Sequence, residues 1–200
     1  MSARDQLLPL VREVAAAYGV PFELLAATVQ TESGWNVRAY RYEPHLGEAS
    51  YGLCQTLYST ARGLGFTGRP EELYDAKTSL TYGAKYLAQM LNRFGSFGLA
   101  SAAYNAGPGR VASAIKATGA ADIEKIDAKL PAITRSYWRK IAVLAAMFAG
   151  SISATEANVR AKTLQLSETV RGFATGKGGS ITAGIALVLL FVGVGLLVRS

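Results

Sequence analysis

With 200 residues, half of them apolar, the chain can build one core domain of about 150 residues plus appendages. Its net charge of +7 suits an anionic partner, but no dense Lys/Arg run with interleaved aromatics is present, which argues against nucleic acid. The single cysteine, Cys54, excludes an intrachain disulfide, and with one histidine, His45, nine residues away, the ligand spacings of a zinc site are not met.

Arg4, Asp5, Arg12 and Glu13 interrupt any apolar core of a secretory signal, so none is expected at the N-terminus. Leu7, Leu8, Val11, Val14, Ala15 and Tyr18 follow helical spacing instead. They predict a first helix over 5–18, with Asp5 as N-cap, Pro9 in or near the first turn and Gly19 as the stop. Pro21 suits the first turn of a second helix that runs to Ser33. On it Leu25, Val29 and Glu32 stand at i, i+4 and i+7, which places all three on one core-facing side. A carboxyl there, at the helix end, is either a solvated residue or a partly desolvated one. Desolvation disfavours the charged form and raises the pKa. A carboxyl that keeps its proton near neutral pH can protonate a leaving group, as glycosidic cleavage requires.

Residues 35–50 have no clean period and contain Asn36, Pro44 and Gly47, which predicts a long functional loop with short strand pieces at most. It carries two spare carboxylates, Glu43 and Glu48. A tight turn at 52–55 leads to a helix over 56–64, broken by Gly65, Gly68 and Pro70. Over 78–94 the spacing is helical, with Leu80, Ala84, Leu87 and Leu91 on one face and Tyr82, Tyr86 and Met90 flanking it. Short helices are predicted over 99–104 and 110–117, separated by an Asn-Ala-Gly-Pro-Gly stop, and a last one over 131–148. The expected fold is therefore mainly α, with one domain at 1–150.

Residues 151–180 form a polar stalk ending in the flexible joint GKGGS. Ile181 opens and Val198 closes an almost wholly apolar run with Thr182 its only polar member. At about 1.5 Å per residue the run 181–198 spans about 27 Å, enough for a hydrocarbon core. One C-terminal transmembrane helix is expected there, with the lipid bilayer as a partner.

Four separated motifs give the soluble part a family resemblance. They are Glu32-Ser33 in TESGWN, SYGLCQ at 50–55, AAYNAG at 102–107 and TRSY at 134–137. LYD at 73–75 and YGAKYL at 82–87 fit the same pattern. Over 7–141 the chain resembles the transglycosylase SLT domain of soluble lytic transglycosylases, a lysozyme-like fold. The second motif departs from the family's S-x-G-L-M-Q at Cys54, where methionine is usual; the swap reads as packing.

The resemblance implies a non-hydrolytic cut of peptidoglycan glycan strands between N-acetylmuramic acid and N-acetylglucosamine. Glu32 would be the single acid/base and no cofactor would be needed. The substrate's 2-acetamido group would stabilise the oxocarbenium charge, and a 1,6-anhydro ring would close. Substrate binding would fall to Ser33, Gln55, Tyr104, Asn105 and Tyr137. Each has a structural alternative: Ser33 as a helix cap, Gln55 as a loop brace, and Tyr104 as a buried ring bonded to substrate or Glu32. Asn105 could be a left-handed helix end, and Tyr137 either orients the Glu32 carboxyl or is a core aromatic.

The stretch 40–48 is longer than the family's usual spacing and could bring Glu43 or Glu48 to the cleft as a second carboxylate. The product would then be a hydrolysed reducing end, as in goose-type lysozymes. A third reading is a virion or envelope membrane scaffold with a vestigial domain. The small size, the charged N-terminus and the apolar run suggest a phage protein in a virion membrane that opens the wall for genome entry, or otherwise a protein of the bacterial envelope.

Overall fold

In the computed structural model, which describes residues 1–150, the chain is helical apart from one small sheet. Helix α1 (Ala3–Ala17) begins before the predicted cap. Ser2 is the N-cap: its hydroxyl accepts from the Asp5 N–H at 3.2 Å, while the Ser2 N–H donates to the Asp5 carboxylate at 3.3 Å. This reciprocal capping box fixes Asp5 inside the first turn. Pro9 consequently sits within the helix, on its exposed side, where the Asp5 carbonyl it leaves unpaired can meet water.

Helix α2 (Phe22–Glu32) is the centre of the domain. Every residue from Leu24 to Val29 is buried, so this helix has no solvent face over its middle. The Thr28 hydroxyl is satisfied by donating to the Leu24 carbonyl at 2.9 Å. Leu25 and Val29 are fully buried as the i, i+4 spacing predicts, packed in one cluster with Val14, Leu80, Leu87 and Ile141. Gly34 (φ 56°) and Trp35 (φ 72°) are both left-handed and turn the chain sharply after the helix. The Trp35 ring repays that conformation by burial against Phe148 and by donating its Nε1–H to Gln30 at 2.6 Å.

The predicted loop over 35–50 is a β-hairpin. Strands β1 (Tyr40–Glu43), β2 (Glu48–Tyr51) and β3 (Thr56–Leu57) form an antiparallel sheet in that order, with Tyr40 opposite Tyr51 and Glu43 opposite Glu48. Because Thr56 and Leu57 join the sheet, helix α3 (Tyr58–Gly63) starts later than its spacing predicts. A 3₁₀ turn (Pro70–Tyr74) follows, then α4 (Ala76–Phe94), capped by Asp75, which accepts from the Thr78 N–H at 2.8 Å, and ended by left-handed Gly95. Leu80, Ala84 and Leu87 are buried as expected. At the far end Met90 takes the core position and Leu91 is only partly covered, because the buried stripe drifts around a long straight helix.

Helices α5 (Phe97–Ala106) and α6 (Pro108–Thr118), the single turn α7 (Ile123–Ile126), a 3₁₀ turn (Asp127–Lys129) and α8 (Ala132–Phe148) complete the domain. Ala100, Ser101, Ala102 and Ala103 bury a face of α5 that lies against both α4 and α8. Such small side chains permit close helix approach. The spacing did not predict α7 or the 3₁₀ turns, which are shorter than one amphipathic repeat. Asp127 is buried beside them; it accepts from Trp138 Nε1–H at 3.0 Å and pairs with Arg139 at 2.6 Å, tying the short turn to α8.

Cys54 is fully buried, and burial pushes its thiol far above the usual range. A Cβ built on Gly83 would stand 2.4 Å from Cys54 Sγ, so the two residues pack back to back. The native protein is expected to resist iodoacetamide at pH 8 and to react once urea unfolds it, as counted by mass spectrometry.

The stalk 151–180 and the apolar run 181–198 lie outside the described residues. Among those described, no helix is long and apolar enough to cross a membrane.

Candidate active site

Glu32 is the last residue of α2, at the floor of a cleft of about 480 Å³. The sheet supplies one wall through Arg41 and Glu43; the ends of α5 and α8 supply the other through Tyr104, Asn105 and Thr134. Tyr137, on α8, donates its hydroxyl to Glu32 Oε1 at 2.7 Å. Burial raises the Glu32 carboxyl to about 6. The Tyr137 hydrogen bond, then Arg41 and Lys140, pull the other way, and Glu43 adds to the rise. The result is a partly buried carboxyl, held in one orientation, that exchanges a proton near neutral pH.

A reaction that starts from protonated Glu32 weakens as pH rises through about 6. Tyr137→Phe removes a donor that favours the ionised form. It is expected to move this alkaline limb upward and, by loosening the carboxyl, to lower kcat by roughly ten- to a hundredfold; a pH profile of kcat/KM reads both.

The other sequence-predicted residues divide. Asn105 and Tyr104 line the cleft with Glu32, as does Gln55. Gln55 has a left-handed backbone (φ 45°), and both amide hydrogens are committed, to the Ala39 carbonyl at 2.9 Å and the Gly52 carbonyl at 3.1 Å. Its Oε1 accepts from Ser50 at 3.0 Å, so this side chain braces the turn and offers the cleft only a remaining lone pair. The Tyr104 hydroxyl donates to the Cys54 carbonyl at 2.8 Å rather than to Glu32. Asn105 lies within α5 and is not left-handed; its Oδ1 accepts from the Thr134 hydroxyl at 2.8 Å, joining α5 to α8. Ser33 ends α2, donating to the Val29 carbonyl at 3.1 Å and accepting from the Trp35 N–H at 3.2 Å, and it does not line the cleft.

Of the two spare carboxylates, Glu43 reaches the cleft and Glu48 does not. Glu48 accepts from the Ser59 N–H at 2.9 Å and from its hydroxyl at 2.6 Å, bracing the start of α3. Glu43 is paired with Arg41 at 2.5 Å, with His45 at 4.0 Å. Arg41, His45, Arg110 and Thr134 also line the cleft; Arg41 and Arg110 were not singled out from the sequence, and neither His45 nor Thr134 of the fourth motif was given a substrate-binding role. Alternation along 40–43 was the missing signal: a two-residue period puts Arg41 and Glu43 on one face and Tyr40 and Tyr42 on the other. Among the described residues no group of three or more His, Cys, Asp or Glu side chains converges to hold a metal ion.

The sequence profile of the family described as Transglycosylase SLT domain matches residues 9–127. The chain belongs to this family. The TRSY segment at 134–137 lies beyond the matched span, yet it is where Tyr137 meets Glu32. A transglycosylase of Enterobacteria phage PRD1 is 33% identical over 107 residues, covering 54% of this chain and 37% of the relative. The membrane-bound lytic murein transglycosylase C of Yersinia pestis is 35% identical over 94 residues, covering 44% and 25%. Among solved structures, the 70 kDa soluble lytic transglycosylase of Escherichia coli superposes with a TM-score of 0.62 at 27% identity, over 74% of this chain and 26% of that one. An inactive Glu-to-Gln form of the Pseudomonas aeruginosa enzyme gives 0.61 at 28%, over 72% and 24%. The chain thus spans from about a quarter to just over a third of the length of these proteins.

Proposed function

We propose that the domain is a peptidoglycan lytic transglycosylase with Glu32 as its only acid/base. The observation that carries this reading is the partly buried Glu32 carboxyl, raised to about 6 and oriented by Tyr137 in an open cleft. Protonated Glu32 gives its proton to the glycosidic oxygen between N-acetylmuramic acid and N-acetylglucosamine as that bond breaks. The 2-acetamido group of the substrate stabilises the oxocarbenium charge at C1. Glu32, now ionised, takes the proton of the C6 hydroxyl, whose oxygen bonds to C1 and closes the 1,6-anhydro ring. Glu32 is protonated again at the end, and no water is consumed.

The second carboxylate of the cleft favours a hydrolytic reading only if it is free to hold water. Glu43 is engaged by Arg41, which supports the non-hydrolytic route. Mass spectrometry of digested muropeptides decides between them. Products lighter by one water than reducing ends are expected; ordinary reducing ends would replace this reading with a hydrolase.

The apolar run 181–198 supports attachment to a bilayer, and the phage and membrane-bound relatives fit a virion or envelope setting. Wall opening during genome entry is the biological role this suggests. Detection in purified virions supports that role, and recovery from host envelope alone rules it out.

A further inference from the structure

Among the described residues six large apolar or aromatic side chains are well exposed, and of these Leu46 and Ile133 line the Glu32 cleft. They belong to different walls. Leu46 stands in the turn of the hairpin, on the sheet side, and Ile133 in the first turn of α8, two residues past its Pro131 cap. Leu46 is 50% exposed and Ile133 73%. Leu57 joins the sheet side and Pro131 the other, so each wall carries an apolar pair among the polar lining groups.

Folding gives no reason for either placement. Ile133 buries little apolar surface, and its branched side chain is a weaker helix former than an unbranched one. Leu46 is held in its exposed position by a fixed turn. Its N–H and that of Gly47 both donate to the Glu43 carbonyl, at 2.9 and 3.0 Å, and Gly47 is left-handed at φ 68°. This turn crowns the stretch 40–48, which lengthens the spacing between the first two motifs. The added chain therefore delivers an apolar tip to the cleft.

We propose that Leu46 and Ile133 keep water from C1 of the bound sugar and so direct the reaction to ring closure instead of hydrolysis. The inference rests on the transglycosylase reading of Glu32. When the bond from C1 to the glycosidic oxygen breaks, its electron pair stays on that oxygen, which takes the Glu32 proton. Two nucleophiles then compete for C1. The C6 hydroxyl bonds to C1 through its oxygen, passes its proton to Glu32 and closes the anhydro ring. A water molecule can do the same, passing one proton to Glu32 and leaving a hydroxyl on C1, which is a reducing end. Glu32 serves both as base, so it does not choose between them. The choice falls to what surrounds the sugar. Apolar side chains on both walls shed their hydration when a sugar enters between them, and they offer no hydrogen bond to hold a water near C1.

The test digests peptidoglycan, its existing reducing ends first blocked with borohydride, using the full chain and three variants. Mass spectrometry gives the share of reducing ends among the new ends. Leu46→Ser combined with Ile133→Ser is expected to raise that share about tenfold over wild type, the low end of what apolar contacts contribute to discrimination. Leu46→Ser alone should raise it less. Both side chains are exposed, so the core is spared. Tyr42→Ser, exposed on the other face of the hairpin and outside the cleft, should leave the share at the wild-type value. An unchanged share in the double variant, or an equal rise in Tyr42→Ser, overturns the water-excluding role alone, whatever happens to KM. A double variant that no longer cuts makes the two residues binding contacts and overturns it as well. If wild type itself releases mainly reducing ends, the transglycosylase reading falls and this role falls with it.

Discussion

On the proposed mechanism, Glu32→Gln is expected to lower turnover on peptidoglycan by about 10²- to 10⁴-fold, the usual contribution of a positioned general acid, and to leave the fold intact. The amide matches the carboxyl in shape, and its oxygen still accepts from the Tyr137 hydroxyl, which stands 2.7 Å from the carboxylate oxygen. What disappears is the exchangeable proton. A second effect separates this account from simple damage to the site. Burial raises the folded-state carboxyl from 4.5 to about 6, so protonated Glu32 is the form the fold prefers. That preference contributes stability below about pH 4.5, and the contribution is lost as pH rises through about 6. Glutamine never ionises. The variant should therefore match wild type near pH 4 and be more stable near pH 8, by at most about 2 kcal/mol. Melting curves at the two pH values, beside turnover assays, check the pair of outcomes; near-wild-type activity would remove Glu32 from the mechanism.

Gly52→Ala is expected to destabilise the domain by about 2 to 5 kcal/mol. A left-handed backbone costs a non-glycine residue about 1–2 kcal/mol, and forced overpacking typically adds about 1–3 kcal/mol. Gly52 has φ 70°, and a Cβ there would stand 2.2 Å from the Leu73 carbonyl oxygen and 2.6 Å from Ser79 Oγ. Neither can yield cheaply. The first is backbone, and the second accepts the Cys54 N–H at 3.2 Å. The Gly52 carbonyl also accepts from the Gln55 side chain at 3.1 Å, so displacing it unfastens the turn beneath the cleft. Urea unfolding measures the loss. Gly63→Ala is the control, since a Cβ at this helical glycine meets nothing within 4 Å and the change should be neutral or mildly stabilising.

The helices of this domain were legible because their cores repeat. Leu25 with Val29, and Leu80 with Ala84 and Leu87, recur at spacings that only a helix brings to one side. Glu32 and Tyr137 were legible for a different reason: the motifs that carry them resemble a family, and the structure brings the two together. The hairpin was not legible, because neither of its faces is continuously apolar. Tyr40 and Tyr42 are exposed on one side, and a charged pair occupies the other. Gln55 was offered as a substrate-binding amide or a loop brace, and its residue type alone does not choose between them. Only its left-handed backbone, which turns the amide back onto Ala39 and Gly52, commits it elsewhere. Ser33 and Asn105 were each offered two roles. Ser33 bonds within its own helix end, to the Val29 carbonyl, whereas Asn105 is not left-handed and instead accepts from the Thr134 hydroxyl across to α8. The buried contacts of Asp127 could not be anticipated, since they depend on how a single helical turn docks against α8.

The hydrogen bond between Tyr137 and Glu32 joins residues 105 positions apart. On a ribosome the acid is made long before the hydroxyl that orients it. At about 5–20 residues per second, Glu32 would wait roughly 5 to 20 s for its partner to be synthesised. The nascent chain in that interval has a carboxylate but no assembled site. The Glu32–Tyr137 pair thus arrives late and in one step, when α8 docks on α2, and on the proposed function a chain interrupted before that point should be harmless to the cell that is making it.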